Sequence, residues 1–449
     1  MEFPKRPFHV SGGAAVPHYK NTRNMESVFL PLPKQVILPM LQHIGAVCVP
    51  AVKKGDHVYA GQKVADSDSF VSAPIHASLS GTVSDITEVT LTGGQRVAAV
   101  VIDSDGKMEY EPGLKPPEEI TSRGQLVEAA RNAGLVGLGG AGFPAHIKLN
   151  VPKEKKIDTL LVNAAECEPY VTSDHREALE NSRNVLDGVY KLKKILDVER
   201  VIIAVEDNKP DVIEKLREIA DNKELDPLDH VRVLALKSQY PQGAEKMLVK
   251  ACTGIEIPIG KLPADVGCMV MNIASVSFLA SFLRTGKPLT QKRVTIDGSA
   301  VTNPQNVIVP IGTRIREIME FCGGYSQEPR KIIMGGPMMG IAITTDQLPV
   351  IKQNNAVLAF GRKEAKSMEP TACIRCGGCV AVCPMRLMPR NLEKAVEKKD
   401  TDRLKELDLT ACMECGSCAF TCPAGRRLVQ AIRLGKNYLK KVKRGEAAN

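Results

Sequence analysis

One cysteine spacing occurs twice near the carboxyl end of this 449-residue chain. It is C-x2-C-x2-C-x3-C-P, first at Cys373, Cys376, Cys379, Cys383 and Pro384, then at Cys412, Cys415, Cys418, Cys422 and Pro423. Zinc is held by two hairpin pairs and has no use for three closely spaced cysteines followed by a fourth and proline. A cubane needs three thiolates on a tight loop and a fourth from elsewhere. In two-cluster ferredoxin-type folds the fourth cysteine of each run serves the other cluster. The spacing therefore predicts one [4Fe–4S] cluster on Cys373, Cys376, Cys379 and Cys422, and a second on Cys412, Cys415, Cys418 and Cys383. Crossed ligation keeps the two close, which suits single electrons passed in series. The intervening "LMPRNLEKAVEKKDTDRLKELD" is charged and helix-periodic, and predicts two linking helices.

The chain has 13 cysteines, and no apolar stretch follows its opening "MEFPKRPFHVSGG". With no export signal expected, the thiols point to a reducing compartment and to metal rather than disulfides. No apolar window is long enough to span a bilayer. The best, "CMVMNIASVSFLASFL" (Cys268–Leu283), predicts a buried helix. Formal charge is +9, and much of the excess lies in Arg426, Arg427, Arg433, Lys436, Lys440, Lys441, Lys443 and Arg444, with Glu446 the lone acid beside them. Such a patch suits an acidic partner or anionic headgroups; a solvated terminal helix is the plain alternative. No nucleic-acid-binding fold is recognisable, so nucleic acid is not an expected partner.

Upstream, "GLVGLGGAGFPAHIKL" (Gly134–Leu149) follows a helical stretch and carries Gly137, Gly139, Gly140 and Gly142. Clustered glycines leave backbone N–H groups unshielded, which is a phosphate cradle or else a structural tight turn. It is neither a Walker A loop nor a dinucleotide fingerprint that opens after a first strand. Phe143 is a candidate to lie beside a ring system, and Lys148 to pair with phosphate or carboxylate. Next, "VNAAECEPYVTSDHR" runs a strand through Asn163 into Glu166 and Glu168. Acids at a strand's carboxyl end sit where α/β folds bind ligands, and suit ribose hydroxyls or a nicotinamide amide. The alternative is a capped loop, with Ser173 or Asp174 starting a helix. Strand and helix patterns then alternate through Leu283 as a layered α/β domain. "YPQGAEKMLV" (Tyr240–Val249) has the look of a second ligand loop.

Taken together, "GLGGAGFPAHIK", "NAAECEPYVTSDHR", the doubled cysteine run and the opening "HVSGGAAVPHYKNT" resemble the RnfC family, the C-type subunits of Rnf/Rsx membrane electron-transport complexes. The nucleotide domain of that family is similar to the flavin-bearing NADH-oxidising subunit of respiratory complex I. The resemblance covers nearly the whole chain. It implies FMN cradled by Gly137 to Gly142, with Lys148 at the flavin or its phosphate and Phe143 near a ring. It also implies Asn163, Glu166 and Glu168 around the cofactor and NAD(H). Two departures stand out. Val136 and Leu138 occupy places where the complex I motif has arginines, and Tyr170 and Val171 follow the acids where it has Gly and Thr.

The flanking modules complete a multidomain α/β reading. Residues 1–110 hold a barrel-sandwich hybrid, lipoyl-like but without a carrier lysine, since none occurs between Lys63 and Lys107. His57 and His76 are expected there as hydrogen-bonded surface groups. Residues 111–288 form the complex I flavin-subunit-like α/β nucleotide domain, and 289–350 a small β-grasp domain. In the latter, "MGGPMMG" reads as a packed corner rather than a flexible ligand loop. Residues 351–435 form the C-terminal helical domain with its ferredoxin-type insert, and 436–449 a basic tail. Cys48, Cys167, Cys252, Cys268 and Cys322 lack ligand spacing and read as ordinary thiols, with Cys167 placed between the two acids.

A hydride carries two electrons and a cubane passes one, so flavin is the expected converter between them. The family resemblance implies part of an NAD:ferredoxin oxidoreductase whose electron flow is coupled to ion translocation, peripheral on the cytoplasmic face of the membrane. Its implied partners are membrane subunits, a ferredoxin-like iron–sulfur subunit and NAD(H). A flavin and iron–sulfur cobalamin reductase is the near alternative. A non-enzymatic two-cluster adaptor, which would carry no flavin, is the distant one.

Overall fold

The computed structural model describes residues 3–152, 154–221 and 230–445. At its centre is a four-stranded parallel sheet in the spatial order Val231–Leu236, Arg200–Glu206, Thr159–Ala164, Cys268–Asn272. Runs such as "RVIIAVE" suit a strand covered on both sides, and that strand is buried along its whole length. Its residues divide by face. Leu160, Val162, Ile203 and Val205 join the core built with helices Ser182–Leu196, Pro210–Ala220 and Ile273–Thr285. Leu161, Ile202, Ala204 and Val270 join a second core with helix Glu245–Thr253. This period of two is the pleat itself, with a layer of helix on each face.

Two expectations change at element boundaries. Cys268–Leu283 is not one buried helix. Its first five residues are the edge strand Cys268–Asn272, and the helix begins at Ile273. Asn272 makes the switch, because its side chain accepts hydrogen bonds from the N–H groups of Ala274 and Ser275. The helical run after "VTSD" is likewise divided into Ser173–Glu180 and Ser182–Leu196, where Asn181 leaves helical geometry and donates back to Glu177.

The amino-terminal module is a sandwich of two sheets. One is ordered Gln35–Pro39, Arg96–Ser104, Gly81–Thr90, His57–Val58; the other Val49–Pro50, Lys63–Asp66, Ile75–His76. His57 is an exposed partner of Asp105, as expected. His76 is not a surface group: it is 6% exposed, and burial drives its pKa down to about 3. The β-grasp sheet holds Gln291–Asp297, Gln305–Pro310, Lys331–Met334 and Ile341–Ile343, backed by helix Ile315–Phe321. It also takes in Ala356–Phe360, beyond residue 350, and Val28–Phe29 from the amino-terminal chain.

The carboxyl-terminal domain contains the two linking helices, Pro389–Glu397 and Thr401–Glu406, and closes with helix Leu428–Lys443. That helix runs straight across residue 435. Part of its basic character is spent internally, since Arg433 and Lys436 pair with Glu414, and Arg426 just before it pairs with Glu393 and Glu397. Glu446 lies outside the described residues. No helix among them is long and apolar enough to cross a membrane.

Helices Ser182–Leu196 and Ile273–Thr285 approach so closely that a Cβ on Gly188 would sit 2.5 Å from the Val276 carbonyl oxygen. Gly188→Ala should therefore cost about 1–3 kcal/mol through overpacking, lowering the urea midpoint. Gly93→Ala, where a Cβ meets nothing within 4 Å, should leave it unchanged.

Candidate functional site

The order of the central sheet, read in chain order, is third, second, first, fourth. The winding reverses between Thr159–Ala164 and Cys268–Asn272, and the crevice outside their carboxyl ends is where open α/β sheets take ligands. The glycine loop lies there. It leaves helix Arg123–Asn132, whose start is fixed by a capping box of Ser122 and Gln125. A bridge between Val136 and Pro144, and hydrogen bonds from Gly137 N to Phe143 O and from Gly142 N to Gly137 O, close the loop on itself. Leu138 anchors one flank, its N–H donating to Ser275 Oγ and its carbonyl accepting from buried Lys292.

Two glycines are required by conformation. Gly140 has φ +115 and Gly142 φ +65, and a Cβ on Gly142 would lie 2.2 Å from Gln353 Oε1. Gly139 is required by contact, since its Cβ would sit 2.8 Å from Asn272 Nδ2. At Gly140 a Cβ would meet nothing within 4 Å, and Gly139, Gly140 and Ala141 are exposed. Among the described residues no protein acceptor takes their N–H groups. The loop thus offers unspent donors at the switch point, and the chemistry fits a phosphate.

Asn272 is the residue that sequence reasoning missed. Its Oδ1 caps the helix, while its Nδ2 donates to Asp174 at 2.6 Å and packs under Gly139. Burial, helped by the neighbouring Glu166 charge, raises the Asp174 carboxyl above the usual range, and burial lowers the Lys292 ammonium. The "MNIAS" stretch carries a signal for this role, an Asn between an apolar strand run and a helix start.

The other candidates are mostly engaged with the protein itself. Lys148 pairs with Glu245 at 2.5 Å. Asn163 donates to Gly243 O and accepts from Ala165 N, tying its strand to the Tyr240 loop. Phe143 is half-buried and closes the glycine loop through its backbone carbonyl. Glu166 accepts from Ser173 Oγ and from the N–H groups of Asp174 and His175, so this remote carboxylate, rather than Ser173 or Asp174, caps helix Ser173–Glu180. Glu168 accepts from the N–H groups of Met338 and Met339. "MGGPMMG" is accordingly a packed corner: a Cβ on Gly336 would lie 2.3 Å from Glu168 Oε2. Lys20, from the opening segment, donates to the carbonyls of Glu166, Glu168 and Val171 and fixes the whole loop from above.

The cysteines lie in two neighbouring places. Cys383, Cys412, Cys415 and Cys418 line one cavity, together with Pro384, Gly416 and Ile432. Burial and the thiols of Cys412, Cys415 and Cys383 push Cys418 up to about 12. Cys379 has Cys422 and Cys373 as its thiol neighbours, and Cys376 is exposed. Gly377 and Gly416, at φ +76 and +87, turn the two ligand loops. No trio of His, Cys, Asp or Glu among the described residues closes on a single ion. A cubane, with an iron at each of four corners, holds its thiolates further apart than one ion does, and a set of thiols without other donors suits it.

The nucleotide domain and the cluster domain meet at one seam. The Tyr240 hydroxyl donates to Cys415 O at 2.6 Å and lies 3.5 Å from Glu168 Oε1. The opening segment runs beside it, with Ala14 N donating to Tyr240 O and Gly13 N to Val382 O. Burial raises the Glu168 pKa to about 6, against the pull of its N–H donors.

Four family models match the chain. They are the RnfC barrel sandwich hybrid domain at residues 8–107, the Nuo51 FMN-binding domain at 130–281, the SLBB domain at 293–342 and the 4Fe-4S dicluster domain at 372–426. Similar curated proteins include the C-type subunit of the Na(+)-translocating ferredoxin:NAD(+) oxidoreductase complex of Acetobacterium woodii, 43% identical over 95% of this chain and 96% of its own. Its counterpart in the proton-translocating ferredoxin:NAD(+) oxidoreductase complex of Clostridium ljungdahlii is 43% identical over 86% of this chain and 84% of its own. The counterpart in the ion-translocating oxidoreductase complex of Rhodobacter capsulatus is 37% identical over 89% and 77%.

Glu168 should be protonated below about pH 6 and ionised above it. Infrared difference spectra across a pH titration should contain a protonated-carboxyl band with that midpoint, missing in Glu168→Gln.

Proposed function

The chain belongs to the RnfC family of subunits in ion-translocating ferredoxin:NAD(+) oxidoreductase complexes, and from that premise we propose how its parts divide the work. It is an electron-transfer subunit of such a complex, using flavin and [4Fe–4S] clusters with NAD(H) as substrate. Bound flavin supplies the exchange between a hydride, two electrons at once, and electrons passed singly. Everything else is placement by this chain's own residues.

The free N–H groups of Gly139, Gly140 and Ala141 would hold the phosphate of FMN, with Asn272 held beneath them by Asp174. Gly137, Gly142 and Phe143 keep the cradle closed, and Lys148 and Asn163 frame it through Glu245 and Gly243. Glu166 and Glu168 act by fixing backbone around the site. Their carboxylates are occupied by N–H groups, so their part in NAD(H) binding is to hold the loop rather than to reach the ribose. Cys383, Cys412, Cys415 and Cys418 hold the inner cluster, docked on the nucleotide domain. Cys373, Cys376, Cys379 and Cys422 hold the outer one, whose loop faces solvent and so a partner subunit.

The observation that carries this reading is a glycine cradle with unspent N–H donors at the switch point of a nucleotide domain that also binds one cysteine loop, through the Tyr240 hydroxyl and Cys415 O. NAD(H) places the subunit on the cytoplasmic face, peripheral to membrane subunits that carry the ion. The names of its relatives differ in that ion, sodium in one and protons in another. A cobalamin reductase is disfavoured by the similarity to these relatives along nearly the whole chain, and a flavin-free adaptor by the match to an FMN-binding domain.

Gly139→Val should displace Asn272 and lower flavin affinity by about tenfold or more, the worth of one charge-assisted hydrogen bond. Flavin retained after gel filtration and released on denaturation measures this. In anaerobically reconstituted, dithionite-reduced protein, Cys383→Ser and Cys415→Ser should abolish the same paramagnetic signal, and Cys376→Ser and Cys422→Ser the other. Uncrossed ligation would pair Cys383 with Cys376 instead.

A further inference from the structure

We infer that Tyr240 is a positioning residue for electron passage, its phenol fixing the ligand loop Cys412–Cys418 on the nucleotide domain. The inference rests on the reading of that loop as holder of the inner cluster. Tyr240 is 2% exposed, and its position in "SQYPQG" is set from both sides. Its carbonyl accepts from Ala14 N, and Asn163 ties the same loop to the central sheet through Gly243 O. A side chain so held is a fixed point rather than a tether.

From that point the hydroxyl spends its single proton on Cys415 O, at 2.6 Å. The neighbouring Glu168 oxygen, at 3.5 Å, is too far to take it. On the opposite flank Lys436 donates to Cys412 O at 2.7 Å, from within the cluster domain itself. The carbonyls of two ligand cysteines are therefore pinned, one by each domain. Close packing seals the arrangement. A Cβ on Gly416 would lie 2.7 Å from Met338 O, and Ala14, Val16, Tyr240 and Cys415 form one buried cluster with Cys167, Met338 and Met413 beside it.

The other ligand loop has no such bond from the nucleotide domain among the described residues. Cys376 is exposed there and Ile374 is 67% exposed. The asymmetry makes a specific demand. Electron passage weakens steeply with separation, and a small misplacement is costly where geometry sets the rate. The phenolic hydrogen bond fixes the inner-cluster loop against the nucleotide domain while leaving the outer cluster free for a partner.

The test compares wild type with Tyr240→Phe, which keeps the ring in its pocket and removes only the hydroxyl. Full-length chain is reconstituted with iron, sulfide and FMN under anaerobic conditions. Hydrogen exchange over Met413–Ser417 should accelerate about tenfold, the worth of one lost hydrogen bond, and exchange over Cys373–Cys379 should not change. In dithionite-reduced samples the paramagnetic signal lost in Cys415→Ser should shift in Tyr240→Phe, and the signal lost in Cys376→Ser should not. Unchanged exchange with both signals unchanged overturns the inference. So does loss of both clusters together, which is the mark of a merely structural residue. A wild-type chain that fails to hold flavin would count against the proposed function and not against this inference, since neither readout requires NADH.

Discussion

A carboxylate removed from water must find donors, and Glu168 finds them in the backbone of another domain. Met338 and Met339 give it their N–H groups, and the corner they belong to lies against Gly416 of a cluster loop. Nucleotide domain, β-grasp domain and cluster domain are thereby joined within a few residues of one another. Lys20 donates to carbonyls around the same loop, and Tyr240 bonds onward to Cys415. Without that half-buried acid the N–H groups of Met338 and Met339 would lose the acceptor that ties their corner to the nucleotide domain.

The same principle explains why the glycine cradle stays free. Several polar groups around it are already matched: Asn272 with Asp174 and a helix start, Glu166 with another helix start, Lys148 with Glu245. The donors left over at the switch point are backbone N–H groups of Gly139 to Ala141, in the crevice that the sheet order provides. Those unspent donors are what the proposed FMN phosphate would take.

Local patterns were the legible part. Cysteine spacing announced both thiol sets, because three ligands on one short loop are a property of adjacent residues. Apolar runs such as "RVIIAVE" announced the sheet for the same reason, and Gly140 and Gly142 announced a turn. What remained hidden depends on partners far apart in the chain. Glu166 and Glu168 looked like ligands for a nucleotide because acids at a strand end commonly are. Their actual partners are a helix start and a loop 170 residues downstream. Asn272 was absorbed into an apparent helix because the short apolar run before it reads as strand or helix alike. Tyr240 was read only as the start of a second ligand loop, since the meaning of its hydroxyl lies in a carbonyl oxygen that any residue at position 415 would present.

The central claim is that two-electron exchange with NAD(H) at the flavin site is joined, within this one chain, to one-electron exchange at the clusters. Anaerobic stopped-flow mixing of reconstituted full-length chain with NADH tests it most directly, following flavin and cluster absorbance separately. The account predicts that flavin bleaches first and the clusters follow, with both events lost together in flavin-depleted protein. Cluster reduction by NADH at an unchanged rate without flavin, or no flavin bleaching at all, would contradict it.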